Sequence, residues 1–251
     1  MDLDETLDWT LERMGRWGRR VQDERCAYYA PGSDLDQQLF ANSHHSTGLV
    51  AWRALGTAGE HAGLAFYVTQ PTGAVPTKPY LSLARATLLG AARALYVLEP
   101  DDAHEREVRT LRLLRTEAQD VLYVVEDAET ATGVTAETKE DRKAAEDLLA
   151  ECEAALKARN EKSWKIRETE MLKAVAPLMP PGSKDPLRSV MTVWRWGSGT
   201  AHARAWTWET DFEDEPSKVQ FLVIWSNAMG LMEAAWDLWC KRRGDDTDIT
   251  P

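Results

Sequence analysis

One short segment, residues 193–202, carries the residue types in this chain best suited to chemistry. It holds Arg195 and His202, seven positions apart. In an α-helix, seven steps bring two side chains back to within about 20° of one another, roughly 10 Å apart along the axis. An imidazole that titrates near neutrality can take up or return a proton, and a guanidinium can stabilise charge on a phosphate. If the segment is helical, the spacing therefore predicts one cleft that combines a proton-exchanging imidazole, His202, with an anion-binding guanidinium, Arg195.

The glycines of the same segment leave its local structure open between two alternatives. Gly197 and Gly199 each disfavour a helix by about 1 kcal/mol relative to alanine, so a bend or a helix start fits as well as a helix interior. A helix start would expose backbone N–H groups beside the hydroxyls of Ser198 and Thr200, which suits a phosphate or another anion. Ser198, Gly199 and Thr200 are therefore predicted to bind substrate.

The elements that must position this segment are predicted to be helices throughout. The chain has 251 residues, 43% hydrophobic and 28% charged, and Ala, Leu, Glu and Arg outnumber strand-favouring residues. Apolar residues at steps of three and four predict a core helix over residues 80–98 and a last helix over residues 217–243. The last helix has a wide apolar face, which predicts a central position or a subunit interface. The fold class is an all-α helical bundle.

The bundle is predicted to be one helical domain over residues 1–243. Residues 1–42 form an N-terminal helical appendage, with a first helix over residues 4–29. Residues 136–167 are rich in charge and poor in apolar residues, so we expect a long, solvent-exposed helical arm. Residues 244–251 are predicted to be a disordered acidic tail.

Charge and cysteine content narrow the classes of function. The net charge of −11 argues against non-specific binding to nucleic acid, although a local basic cleft would still permit RNA binding. The three cysteines lack the spacing of a disulfide framework or a zinc site, so we predict no metal and no other cofactor. The acidic N-terminus has no signal-peptide pattern, and no apolar run approaches the roughly 20 residues that span a bilayer. We expect a cytoplasmic protein without membrane contact.

Three further groups of residues favour structural roles over functional ones. A row of four arginines drifts around its helix by about 180° and is predicted to be a solvated, ion-paired face, with Glu105 pairing to the second of them: Arg106, Arg109, Arg112 and Arg115. Three histidines fit no metal-binding spacing: His44, His45 and His61. Four tryptophans around the segment are predicted to pack in the core or an interface rather than stack on bases: Trp194, Trp196, Trp206 and Trp208.

The arginine and histidine of the segment resemble the Arg-x(4–6)-His motif of HEPN proteins. Over roughly residues 45–243 the chain also resembles HEPN-like helical proteins of actinobacteria, which have an arginine on a core helix, here Arg85, and later an aromatic-x-x-x-Ser-Gly-x-x-His stretch. That stretch begins at Trp194 and ends at His202. The resemblance implies an all-α bundle, often a homodimer that shares the Arg/His cleft. It also implies metal-independent cleavage or binding of RNA or a nucleotide, in a toxin–antitoxin or phage-defence system.

A second function remains open beside the first. Ribonuclease members of that family commonly have a small polar residue directly after the motif arginine, where this chain has Trp196. With the net charge of −11 and the charged arm, this favours a non-catalytic helical module that binds a partner protein. The surroundings of His202 discriminate between the two: an open cleft lined by Arg195 favours chemistry, and burial under Trp206 favours a structural role.

Overall fold

The protein is almost entirely helical in the computed structural model, which describes residues 2–40, 45–69, 77–181, 184–204 and 215–244. These residues contain no β-strand, so the all-α prediction is confirmed for the described part. The α-helices, in chain order, are α1 Leu3–Arg20, α2 Glu24–Ala27, α3 Thr47–Thr69, α4 Thr77–Leu98, α5 Ala103–Thr132, α6 Ala136–Ala158, α7 Glu168–Val175, α8 Pro186–Ala201 and α9 Glu215–Arg242.

Polar caps fix where several helices begin. Asp2 caps α1 in a reciprocal capping box with Glu5, and Asp102 accepts a hydrogen bond from the first turn of α5. The prediction of one helix over residues 4–29 is wrong, because α1 ends at Arg20 and the carboxylate of Asp23 then caps the separate short helix α2. An internal N-cap of this kind competes with continuation of the preceding helix.

Helix α4 lies at the centre of the bundle and packs against α3, α8 and α9. The buried stripe predicted for it is confirmed, with members 0–5% exposed: Leu81, Ala84, Leu88, Ala91, Leu95 and Leu98. Residues Pro79–Leu98 are also long and apolar enough to cross a membrane, contrary to the expectation from the sequence, and 72% of that stretch is buried inside the protein. A core helix passes the same test of length and composition.

Helix α9 also lies centrally, because its predicted wide apolar face is covered by other helices. It contacts α1, α3, α4 and α8. Trp225 and Trp239 are fully buried, and the Trp239 indole N–H donates a hydrogen bond of 3.0 Å to the Cys26 carbonyl. Of the two positions predicted for this wide apolar face, the structure has the central one.

The predicted charged arm is one half of a helical hairpin formed by α5 and α6. Helix α6 ends at Ala158, nine residues before the predicted end of the arm at 167, and it packs along α5 through the buried Ala145, Cys152 and Leu156. Ion pairs join the two helices, among them Arg115–Glu153 at 2.6 Å. The sparse apolar residues of α6 thus cover α5, and the rest of its surface is solvated.

The row of arginines on α5 is ion-paired as predicted but is not uniformly solvated. Arg109 donates from its Nε to the carboxylate of Glu105, four residues earlier, at 2.8 Å. Arg106, in contrast, is buried, because its guanidinium donates to the carbonyls of Pro100 and Asp101, both at 2.9 Å. The prediction of a solvated face is therefore wrong for Arg106, whose partners are these two carbonyls and, at 3.1 Å, the carboxylate of the distant Asp34.

The predictions for the acidic tail, the histidines and the tryptophans lie partly outside the described residues. The acidic tail at 244–251 is described only at Gly244, and His44, Trp206 and Trp208 are not described. Val121 of α5 is 44% exposed, while Val125 of the same helix is buried.

Candidate functional site

The segment with Arg195 and His202 is the C-terminal half of helix α8. Gly197 and Gly199 lie inside Pro186–Ala201, and His202 caps the helix by donating its backbone N–H to the Ser198 carbonyl at 3.1 Å. The alternative of a glycine-containing helix start is therefore wrong, and with it the prediction of free N–H groups at Gly199 that hold a phosphate. The end of the helix near His202 presents carbonyls, whose partial negative charge does not favour an anion. Side chains must supply any anion binding here.

Close packing against α4 explains why glycine is present in this helix. A Cβ at Gly197 would lie 2.5 Å from the Leu81 carbonyl oxygen and closer still to the Cβ of Arg85. Real Cβ atoms do not approach backbone oxygens so closely, so only glycine lets the two helix backbones meet at this point. The contact places Arg85 of α4 beside Ser198 of α8.

Arg85 is the centre of a polar cluster that joins three helices. Its Nε donates to the Ser198 hydroxyl at 2.8 Å, and its Nη2 donates to Glu168 Oε2 at 3.1 Å. The indole N–H of Trp194 donates to the same Glu168 oxygen at 3.2 Å. Glu168 is the first residue of α7, so the cluster fixes α4, α7 and α8 relative to one another and orients the Ser198 hydroxyl.

Arg195 and His202 line one open cavity of about 740 Å³ beside this cluster. Both side chains are exposed, and neither forms a hydrogen bond or ion pair with any described residue. Arginines outnumber carboxylates among the residues that line the cavity: Arg85, Glu168, Thr192, Trp194, Arg195, Trp196, Ser198, Gly199, His202 and Arg204. The cavity therefore has the positive charge that an anionic ligand requires, in a protein that is acidic as a whole.

The other predicted substrate-binding residues divide into two groups. Ser198 and Gly199 line the cavity, and their binding of substrate stays a prediction. Thr200 does not, because its hydroxyl donates to the Trp196 carbonyl one turn earlier, at 3.0 Å. Threonine in a helix interior commonly bonds in this way to the preceding turn, and the role of Thr200 in substrate binding stays a prediction.

Sequence reasoning missed Arg85, Glu168 and Arg204 as residues of the site. A signal for the first was present, since Arg85 and Arg93 are the only charged residues between positions 79 and 98. A guanidinium on a core helix requires a partner or a solvent-filled cleft. No comparable signal marks Glu168, which lies among many acidic residues of the sequence.

A metal-assisted reaction has no ready ligand set within the described residues. They contain no group of three or more His, Cys, Asp or Glu side chains that could hold a metal ion. In the α8 cavity the ionisable side chains are one carboxylate, one imidazole and three guanidinium groups. This set can bind an anion and exchange a proton.

The chain was compared with models of protein families, with curated proteins and with solved structures. No family model, curated protein or solved structure matches it. The resemblance to HEPN proteins therefore stays a prediction that rests on the residues quoted for it.

Proposed function

We propose that the protein is a HEPN-like ribonuclease that binds single RNA phosphodiesters in the α8 cavity and cleaves them without a metal ion. One observation carries the proposal: Arg195 and His202, both free of partners among the described residues, line one open, arginine-rich cavity. The family resemblance adds a homodimer as the active form and a role in toxin–antitoxin or phage defence. Both the homodimer and the role in defence are proposed only together with the ribonuclease activity.

In the proposed reaction, neutral His202 is the general base. It takes the proton of a ribose 2′-hydroxyl while that oxygen forms a bond to the adjacent phosphorus. The bond from phosphorus to the 5′-oxygen of the next nucleotide breaks, and the proton is returned from the imidazolium to that oxygen. The products are a 2′,3′-cyclic phosphate and a 5′-hydroxyl, and the imidazole is regenerated.

Arg195 has the complementary role of stabilising the charge that develops on the phosphate. Arginine suits this role because its planar guanidinium donates two parallel hydrogen bonds to phosphate oxygens. Ser198, held by Arg85 Nε at 2.8 Å, keeps its hydroxyl proton for donation to a further phosphate oxygen. Arg85 is a positioning residue in this scheme, since it acts through Ser198.

The test is cleavage of a single-stranded RNA of mixed sequence in EDTA by the wild type and three variants. His202→Ala should lower the rate by about 10²-fold to 10⁴-fold, the usual contribution of a general acid/base. Arg195→Ala should lower it by about 10²-fold, as expected for loss of one charge-stabilising donor. Arg188→Ala is the matched control, because Arg188 is an exposed arginine of the same helix that does not line the cavity.

Two outcomes would overturn the proposed activity. The first is no cleavage by the wild type under conditions in which the protein binds RNA. The second is equal cleavage by the wild type and His202→Ala, which would identify a contaminating nuclease. A cyclic phosphate terminus on the 5′ product, detected by mass spectrometry, would support the chemistry written above.

The alternative function, a partner-binding module, is favoured by exposed apolar side chains on the α5–α6 hairpin. Val124 is 67% exposed, and Tyr123 and Val134 are also exposed near the tip. Deletion of residues 136–167 would uncover the buried face of α5, so point variants are a cleaner test. Tyr123→Ser with Val124→Ser should abolish capture of a partner protein and leave RNA cleavage unchanged. Undiminished capture would exclude this surface.

A further inference from the structure

A second cavity lies between the α5–α6 hairpin and helices α3 and α4. Its volume is about 650 Å³, within the range of ordinary ligand sites. Its walls are mainly aliphatic, with apolar contributions from both sides: Val50, Ala54, Leu89, Leu113, Val121 and Leu148. None of the described residues that line it is Phe, Tyr or Trp. We call it the hairpin cavity.

Two arginines lie at the edge of this cavity without strong partners. The guanidinium of Arg53, on α3, forms no hydrogen bond or ion pair with any residue that the structure describes. Arg93 of α4 faces Glu117 of α5 at 3.9 Å, which is too long for a hydrogen bond. Three carboxylates line the cavity: Glu168 is paired with Arg85 at 3.1 Å, Asp141 lies on α6, and Glu117 is held only loosely by Arg93.

Glu117 is a poor counterion for these two arginines. Burial raises the pKa of its carboxyl, while the charges of Arg93 and Arg53 lower that pKa by less. The side chain is nevertheless 48% exposed, so the effect of burial is modest. A better-placed anion would gain the hydrogen bonds that Glu117 leaves unmade.

We propose that the hairpin cavity binds a small amphipathic anion: an aliphatic chain against the apolar walls, with a carboxylate or phosphate head group held by Arg53 and Arg93. His45 is the one ring among the described walls, and the absence of Phe, Tyr and Trp there favours an aliphatic chain over a nucleobase, which such side chains commonly stack on. Arg85 and Glu168 line both cavities, but neither Arg195 nor His202 lines this one, so the proposal does not require RNA cleavage.

The test measures the Kd of sodium decanoate and of decyl phosphate for the full chain by isothermal titration calorimetry, below their micellar concentrations. Decan-1-ol is the uncharged control ligand. We expect binding of one decanoate or one decyl phosphate per chain, with decan-1-ol at least about tenfold weaker, since it lacks the charge-assisted hydrogen bonds. Tight binding of only one of the two anions identifies the head group and supports the site.

Variants of the three charged residues localise the binding. Arg53→Ala and Arg93→Ala should each raise the Kd by about tenfold. Glu117→Gln should lower the Kd by about threefold or more, because it removes a like charge beside the head group. This gain cannot come from a folding defect. Arg19→Ala, at an exposed arginine of α1 outside the cavity, is the matched control.

Three results would overturn the proposal. One is binding of decan-1-ol as tight as that of decanoate. Another is an unchanged Kd in both arginine variants, and the third is weaker binding in Glu117→Gln. Ala144→Trp places a large side chain into the cavity at an exposed position of α6. It should abolish binding with the fold intact, and retained binding would place the ligand elsewhere.

Discussion

Arg242, the last residue of α9, holds the end of that helix against the C-terminal end of α4. Its guanidinium donates to the Leu98 carbonyl at 2.6 Å and to the Pro100 carbonyl at 2.9 Å, and it pairs with Asp34 at 2.8 Å. These carbonyls belong to the C-terminal end of α4 and the following turn, which a helix leaves without partners. The cation also complements the partial negative charge at that end.

We predict that Arg242→Met lowers the free energy of unfolding by about 3 kcal/mol, because it leaves buried carbonyls without donors. Arg242 is only 5% exposed, so water cannot readily replace the lost donors. Urea denaturation followed by circular dichroism measures the change. Arg188→Met, at an exposed arginine without described partners, should change the free energy by no more than about 0.5 kcal/mol. Equal stabilities of the two variants would contradict the role of Arg242.

The three cysteines should differ in reactivity because the thiolate is the reacting species. Burial raises the pKa of Cys152 to about 12, and Cys152 is fully covered by the contact between α5 and α6. Burial also raises the pKa of Cys26, which is 2% exposed. Burial of part of its side chain raises the pKa of Cys240 as well, so exposure distinguishes it: Cys240 is the exposed one of the three.

We predict that iodoacetamide at pH 8 labels Cys240 first in the native protein, with Cys26 and Cys152 protected. Raising the pH to 9 should speed the reaction of Cys240, because the fraction of thiolate grows towards its pKa. Labelling of Cys152 should remain limited by opening of the hairpin. Mass spectrometry of peptides locates the label, and all three cysteines should react alike in 8 M urea. Fast native labelling of Cys152 would show that α6 does not stay packed on α5.

At the scale of elements, α4 and α8 are in backbone contact at Gly197, where a side chain would not fit. We predict that Gly197→Ala separates the two helices and costs about 1–3 kcal/mol of stability, the usual range for overpacking. It should also disturb the Arg85–Ser198 hydrogen bond across the same contact. Thermal denaturation measures the first effect, and the rate of RNA cleavage measures the second.

Gly56 is the matched control for that variant. It lies inside α3, and a Cβ there would meet nothing within 4 Å. Gly56→Ala should therefore stabilise the protein by roughly 0.5–1 kcal/mol, the gain from a better helix former. If both variants stabilise the protein, the close approach of α8 to α4 is wrong.

The helices were predictable from the sequence where burial repeats along them, as in α4 and α9. Regular spacing reports the buried face because an apolar stripe has to be covered. The glycines of α8 wrongly indicated a helix start. Each destabilises a helix by about 1 kcal/mol, but packing on α4, more than 100 residues away in sequence, outweighs that cost. The prediction that Arg106 is solvated was wrong for the same reason, because its partner Asp34 is distant in the chain. Contacts of this kind leave no local pattern.

The site was predictable only in part. The seven-residue spacing of Arg195 and His202 places both on one cavity, because periodicity alone determines which residues of a helix share a face. Glu168 and the orientation of Arg85 depend on how α7 and α4 meet α8, which single-sequence patterns do not encode. For the site, as for the fold, the sequence predicts what depends on spacing within one helix and does not predict what depends on contacts between distant helices.

At the scale of the whole molecule, the net charge of −11 opposes RNA everywhere except at local basic clefts. The α8 cavity is lined by three arginines, Arg85, Arg195 and Arg204, so proposed RNA binding involves few phosphates. Each phosphate neutralised in a single strand contributes about −0.7 to the slope of log K against log salt. Even three such contacts would give a slope no steeper than roughly −2, far less than for proteins with extended basic surfaces.

Fluorescence anisotropy of a labelled RNA, titrated with His202→Ala protein to prevent cleavage, measures this slope between 50 and 300 mM salt. Arg195→Ala should reduce the magnitude of the slope by about 0.7, while Arg188→Ala should leave it unchanged. A slope steeper than about −5 would mean that RNA follows a surface well beyond the cavity. Binding that does not respond to salt would mean that phosphates are not the groups recognised, and Arg195 would lose its proposed role. The acidic remainder of the surface makes the measurement decisive, because it leaves few other places where an RNA strand can release counterions.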